Sequence, residues 1–344
     1  MHLEEIRALE KRYVMQTYGR NEIALVSGEG ARLRDSEGKE YIDLTSGIGV
    51  NCLGYHHPAL SAAISDQAQK LMHCSNLFYS EPMAQVAEHL VKSTGLSRVF
   101  FANSGAEANE AMIKTARKYS SDRYGKDRYK IITLRQSFHG RTMTTLMATG
   151  QDKFHQYFYP LPEGFAYVEV GDLAQFKSCA VEHVCAVIME MIQGEGGVLP
   201  LDQAFVQEVS AYCKAHDILV CVDEVQTGIG RTGTLFCYAQ YGIEPDIVSM
   251  AKGLGGGVPI GAILCGEKCA DTLQPGQHGS TFGGNLLACR AAQTVLSVVD
   301  QPQFLASVKE KGEYIREQLL AMHSPAIREV RGMGLMLGIG VDPQ

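Results

Sequence analysis

The sequence predicts an α/β fold whose large part is a mainly parallel sheet covered by helices. Three observations lead there. Between residues 98 and 265, short apolar runs of strand character alternate with amphipathic helical stretches, the pattern of a sheet with helices on both faces. Two of those runs end in a charged residue, Asp223 and Lys252, and ligands of such sheets gather at the carboxyl ends of the strands. The flanking segments are less regular and belong outside this core.

In chain order, a helix is expected over Leu3–Met15, then a β-like stretch over Ala31–Leu44 with turns at Gly28-Glu29-Gly30 and Glu37-Gly38. The core strands are expected at Arg98–Ala102, Lys130–Leu134, Val184–Glu190, Ile218–Val225, Asp246–Ala251 and Ile260–Cys265, with helices Ala106–Ser120 and Gln203–His216 among them. A long helix follows near Leu305–Met322, then a glycine turn at Val330-Arg331-Gly332-Met333-Gly334 and the apolar run Leu335–Val341. No internal repeat or low-complexity segment interrupts the chain.

With 344 residues the chain can hold one large domain and a smaller one. The balance of 31 basic against 38 acidic residues argues against general nucleic-acid or anionic-membrane binding. Its ten cysteines show no paired pattern, which fits a reducing compartment. Cys265 and Cys269 would need two further ligands to hold zinc and none is evident, so no metal is expected. The N-terminus lacks a basic region followed by an apolar one, and no apolar run approaches a membrane span, so a cytoplasmic protein is expected.

The most informative stretches are Val220-Cys221-Val222-Asp223-Glu224-Val225-Gln226 and Ser249-Met250-Ala251-Lys252-Gly253-Leu254-Gly255. They place one carboxylate and one amine at the ends of two buried strands. Pyridoxal phosphate chemistry needs that pair, a lysine to bond the cofactor and an acid on its ring nitrogen. The bland alternative is a buried aspartate cap and a solvated loop lysine. In Phe101-Ala102-Asn103-Ser104-Gly105-Ala106-Glu107-Ala108-Asn109, a strand runs through a tight turn into a helix, whose first amides can bind a phosphate. An ordinary capped helix would look the same. In Ser137-Phe138-His139-Gly140-Arg141-Thr142, Phe138 could lie on an aromatic cofactor and Arg141 could take a carboxylate bidentately; core packing and a surface ion pair are the alternatives. His139 reads as structural. Glu190-Met191-Ile192-Gln193-Gly194-Glu195-Gly196-Gly197 closes a strand in a glycine-rich loop with two acids that could steer or mask an arginine.

Gly228-Ile229-Gly230-Arg231-Thr232-Gly233 matches a dinucleotide-binding pattern, but Thr232-Gly233-Thr234 interrupts the helix that the pattern must open. A nicotinamide oxidoreductase is thereby disfavoured. No nucleophile elbow is present either.

Taken in order, these segments closely resemble the class III (ornithine-type) aminotransferases of pyridoxal phosphate fold type I, above all their acetylornithine branch. Thr17-Tyr18-Gly19-Arg20, Gly47–Gly54, Asn76-Leu77-Phe78-Tyr79 and Ala148-Thr149-Gly150-Gln151 extend the resemblance through nearly the whole chain. It implies a large cofactor-binding domain over residues 47–290. A small α+β domain would be built from both termini, residues 1–46 and an incomplete 291–344. It implies Lys252 as the residue that bonds pyridoxal 5'-phosphate and moves the substrate proton, and Asp223 as the partner of the ring nitrogen. Phe138 and Val225 would sandwich the ring, and Gln226 would bond its phenolic oxygen. Ser104, Gly105 and Ala106 would form the phosphate turn. Thr281, in Ser280-Thr281-Phe282-Gly283-Gly284-Asn285, would reach the phosphate of a neighbouring subunit in a homodimer. The implied reaction is N-acetylornithine:2-oxoglutarate transamination in arginine biosynthesis, by a ping-pong mechanism. Succinyl-diaminopimelate, ornithine and 4-aminobutyrate are the alternative donors. Arg141 would hold the carboxylate distant from the reacting amine, and Glu195 would neutralise a second arginine when that arginine is not in use.

The family takes that second arginine from a segment several dozen residues beyond Gln344. A truncated chain that binds cofactor but handles glutamate poorly is therefore an alternative expectation, with Leu335–Val341 an uncovered strand. Met191 stands where the family usually has proline.

Overall fold

The computed structural model describes residues 1–181 and 183–342. Pro343 and Gln344, the last positions of the expected C-terminal segment, lie outside the described residues.

The core is a seven-stranded sheet. Its spatial order is Arg98–Ala102, Gly261–Cys265, Ile247–Met250, Leu219–Asp223, Val184–Met189, Lys130–Leu134 and Phe165–Val168. Gly261–Cys265 runs antiparallel to both neighbours and the remaining pairings are parallel, so the sheet is mixed by one strand. Six of the seven strands were expected from their apolar runs. The seventh, Phe165-Ala166-Tyr167-Val168, is an edge strand with three half-buried residues, too short and too mixed to stand out.

Strands buried on both faces are apolar throughout, and Leu219–Asp223 shows why. All five of its residues are buried. Leu219 and Cys221 face the helix Gly105–Tyr124, while Val220 and Val222 join the core on the opposite face with Phe205, Val206 and Val209 of the helix Gln203–Ala215. By the two-residue period, Asp223 shares the face of Leu219 and Cys221 and points at the helix Gly105–Tyr124. That parity decides which residues meet it.

The segment after Asp223 is tied down from inside. Glu224 is fully buried; it accepts bonds from the Thr227 hydroxyl at 2.5 Å and the Tyr238 amide at 2.7 Å. Burial pushes its carboxyl from an ordinary 4.5 up to about 7, with those bonds acting the other way. Because the folded pKa is raised, the native state holds a proton that the unfolded chain has lost between pH 4.5 and 7. Stability through this group therefore falls as pH rises through that window. Glu224→Gln keeps the shape without the charge. Its stability advantage over the parent is expected to grow by roughly 3 kcal/mol from the bottom of the window to the top, read from unfolding midpoints. A constant difference across pH would refute this.

The dinucleotide-like glycines lie in turns that open no helix. Three antiparallel strands, Leu25–Glu29, Arg32–Asp35 and Glu40–Ile42, form a separate small sheet near the N-terminus. Near the other end, Ile327–Met333 pairs antiparallel with Met336–Val341. The Leu335–Val341 run is thus paired along one edge. Arg331 belongs to the first of these strands rather than to a turn, and its guanidinium donates to the Gly197 and Val198 carbonyls. It buttresses the loop that carries Glu195.

Candidate active site

Asp223 and Lys252 leave neighbouring parallel strands at the same end, with Asp223 in register with Ser249. Lys252 starts the short 3-10 turn Lys252–Gly255 with φ +42°, a left-handed conformation that a side chain disfavours. The surroundings hold it there; Cys52 Sγ, for example, donates to the Gly253 carbonyl at 3.2 Å. Burial lowers the Lys252 amine below its ordinary value, while the charges of Asp223, Glu190 and Glu195 act against that shift. An amine more easily deprotonated is a better nucleophile and base.

Asp223 is 4% exposed and its carboxylate is held by three donors. Oδ2 accepts from Asn109 Nδ2 at 2.7 Å and His139 Nδ1 at 2.8 Å, and Oδ1 accepts from the Val225 amide at 3.0 Å. Asn109 also donates to the His139 carbonyl at 2.8 Å, which closes the triangle. Burial alone would depress the His139 pKa; its bond to Asp223 and the charges of Asp223 and Glu190 outweigh that and raise it. His139 and Asn109 thus fix the Asp223 carboxylate in place. The sequence reading gave them no such part. An asparagine among the buried Ala108, Ala111 and Met112 was the available signal, since a buried amide needs partners.

Facing this pair is the start of the 20-residue helix Gly105–Tyr124. Ser104 Oγ caps it by accepting from the Glu107 amide at 3.2 Å, and Glu107 in turn accepts from the Asn103 amide. The amides of Gly105 and Ala106, in the first turn, have no acceptor within the helix and suit an anion. A Cβ at Gly105 would lie 2.7 Å from Val225 Cγ1, so only glycine lets Val225 pack against this turn.

Glu190, buried, joins two loops. It accepts from the Phe138 amide at 2.8 Å and the Gly194 amide at 3.3 Å, and burial raises its carboxyl pKa. It fixes Phe138 relative to the loop bearing Glu195. A Cβ at Gly194 would sit 2.3 Å from Gln226 Oε1, so this loop closes directly on the Gln226 amide.

These features enclose one cavity of about 630 Å³. Lys252, Asp223, Ser104, Gly105, Ala106, Phe138, Val225, Gln226, Arg141 and Glu195 all line it, and Tyr18 and Glu190 join them. Thr281 does not. It lies on an exposed loop that Asn76 holds through the Ser280 and Gly283 carbonyls at 3.1 and 2.8 Å.

A flat ring carrying a phosphate fits this donor set. The helix amides suit the phosphate, Phe138 and Val225 the ring faces, Asp223 a protonated ring nitrogen and Lys252 an aldehyde. The cavity also offers an arginine without a counter-ion. Among the described residues the Arg141 guanidinium makes no ion pair, and it lies 5.6 Å from the Phe138 ring centroid.

Comparison with known proteins agrees with this chemistry. The family model described as aminotransferase class-III matches residues 13–344. The acetylornithine aminotransferase of Haemophilus ducreyi is 52% identical over 343 residues, covering 99% of this chain and 86% of that protein. The succinylornithine transaminase of Yersinia pseudotuberculosis is 45% identical over 340 residues, covering 96% and 82%. Among solved structures, the ornithine aminotransferase of Toxoplasma gondii ME49 superposes with a TM-score of 0.95 at 32% identity, covering 99% of this chain and 83% of that one.

Proposed function

The chain belongs to the class-III aminotransferases, which makes it a transaminase dependent on pyridoxal phosphate, and on that premise we propose that it moves the terminal amino group of N-acetylornithine to 2-oxoglutarate, as a step of arginine biosynthesis. The observation that carries this reading is Arg141, which among the described residues has no counter-ion and shares a cavity with Lys252. A donor that reacts through a terminal amine has its carboxylate far from the reacting carbon, and such an arginine suits it.

When bound, the cofactor supplies an aldehyde that bonds amines and an electron-poor ring that accepts the electrons released at the substrate carbon. The protein supplies the rest. Lys252 Nζ would hold the cofactor between turnovers and then move the proton from the substrate carbon to the cofactor. Asp223 would face the ring nitrogen, Gly105 and Ala106 would hold the phosphate, Phe138 and Val225 would fix the ring plane, and Gln226 would bond the phenolic oxygen. Arg141 takes the distal carboxylate of the donor, and in the second half-reaction the distal carboxylate of 2-oxoglutarate. Glu195 lines the same cavity. Relatives named for acetylornithine and succinylornithine, at 52% and 45% identity, favour an N-acylated ornithine.

The test is kcat/KM for N-acetylornithine, N-succinylornithine, ornithine and 4-aminobutyrate, each with 2-oxoglutarate. The acylated donors are expected to lead by at least about tenfold, the scale on which one pocket separates related substrates. A higher value for ornithine or 4-aminobutyrate would overturn the donor assignment.

We further propose a homodimer in which Thr281 serves the neighbouring subunit's phosphate. Leu77, Phe78, Tyr79 and Phe282 are 88%, 67%, 106% and 58% exposed, an apolar surface that supports a partner here. The helix Leu3–Tyr13 has no buried residue, which also favours an intermolecular contact. Sedimentation of the purified protein is expected to show two copies, and Phe78→Glu to yield an inactive monomer. An active wild-type monomer would end this proposal. Cytoplasmic residence completes the reading. All ten cysteines are free, and among the described residues no helix is long and apolar enough to cross a membrane. Recovery of the protein from a secreted fraction would contradict it.

A further inference from the structure

Among the described residues, Arg141 is held by aromatic rings rather than by an acid. Its guanidinium carbon lies 4.3 Å from the ring centroid of Phe154, closer than to Phe138. The two rings meet edge to face, with centroids 5.8 Å apart. Phe154 thus touches both the ring that platforms the cofactor and the guanidinium that faces the substrate.

The segment carrying Phe154 is anchored on every side. Phe154 closes the 3-10 turn Asp152–Phe154, and its amide donates to the Gln151 carbonyl at 3.1 Å. Asp152 pairs with Arg135 at 2.9 Å. His155 Nε2 bonds the carbonyls of Thr149 at 2.8 Å and Leu146 at 3.0 Å. Gln151 Nε2 donates to the Ser137 carbonyl at 3.0 Å, one residue before Phe138. The Lys153 ammonium lies 4.9 Å from the Phe154 centroid, so the ring gathers a second cation.

We propose that Phe154 is a positioning residue that sets the affinity for carboxylate-bearing substrates by holding Arg141 in place before they bind. An acid beside Arg141 would also fix it, but the substrate carboxylate would then have to displace that acid. An aromatic face attracts the cation and restrains its long side chain without occupying any of its five N–H donors. The arginine is pre-organised and still free to bind, which strengthens the contact without adding one.

The proposal rests on Arg141 being the carboxylate partner, so the experiment compares Phe154→Leu, Phe154→Tyr and Arg141→Gln in the cofactor-loaded enzyme. The probe is glutarate, a dicarboxylate that cannot react, measured by calorimetry alongside KM and kcat for N-acetylornithine and 2-oxoglutarate. Phe154→Leu is expected to weaken glutarate and raise both KM values by roughly fivefold to tenfold, with kcat within about twofold. Phe154→Tyr restores all three, because its ring face is retained. If Arg141→Gln weakens glutarate and Phe154→Leu does not, the proposal fails and the role of Arg141 stands. If neither variant weakens it, the role of Arg141 fails and takes the proposal with it. A Phe154→Leu protein that loses kcat and unfolding midpoint together, unrescued by tyrosine, would show plain structural support and overturn the proposal.

Discussion

Lys252→Ala is expected to lower kcat for N-acetylornithine at least about 10⁴-fold, because in the proposed reaction one side chain would supply both the covalent hold on the cofactor and the proton transfer. The effect should be local. Lys252 starts a short 3-10 turn in a left-handed conformation, and alanine removes the amine without removing a core contact. Cofactor should still enter, since Gly105, Ala106, Phe138 and Asp223 remain, but it should leave on dialysis. Borohydride reduction of the parent followed by peptide mass spectrometry should find the cofactor on Lys252. Finding it on another lysine, or retained turnover in the variant, would refute the assignment.

Asp223→Asn is expected to lower kcat by roughly 10²–10³-fold, the scale for losing one preorganised charge in a dry site. The replacement is nearly isosteric, so volume and strand packing are kept. What changes is the charge and one acceptor. Asn109 Nδ2 and His139 Nδ1 both donate to Asp223 Oδ2, and an asparagine amide at that position would set donor against donor. His139 also loses the bond and charge of Asp223 that raise its pKa, leaving burial to lower it against the Glu190 charge alone. An NMR titration of His139 should therefore move downward in the variant, alongside the loss of kcat. An unchanged His139 titration with kcat near that of the parent would contradict the role given to Asp223.

The legible parts of this protein were those written locally. Val220-Cys221-Val222-Asp223 is apolar to its last residue because both faces of the strand are buried, and that run showed where the acid would emerge. The Ser104 turn was equally plain, since capping, small residues and the helix start are adjacent in sequence. What the residues hid were partnerships across distance. Asn109 and His139 converge on Asp223 from a helix and a loop, and Glu190 spans to Phe138, 52 positions away. No spacing rule encodes such contacts; they follow from strand order and from the parity that turns Asp223 toward the helix Gly105–Tyr124. Phe154 was silent for the same reason, being one aromatic in a loop until folding brings it against Arg141.

The central claim, that Lys252 and Asp223 drive amino transfer between N-acetylornithine and 2-oxoglutarate, is tested most directly by the visible absorption of the cofactor-loaded protein. The band of the bound cofactor should collapse on adding N-acetylornithine alone and return on adding 2-oxoglutarate, with neither change in Lys252→Ala. A band that ignores N-acetylornithine, or that responds equally without Lys252, would contradict the account.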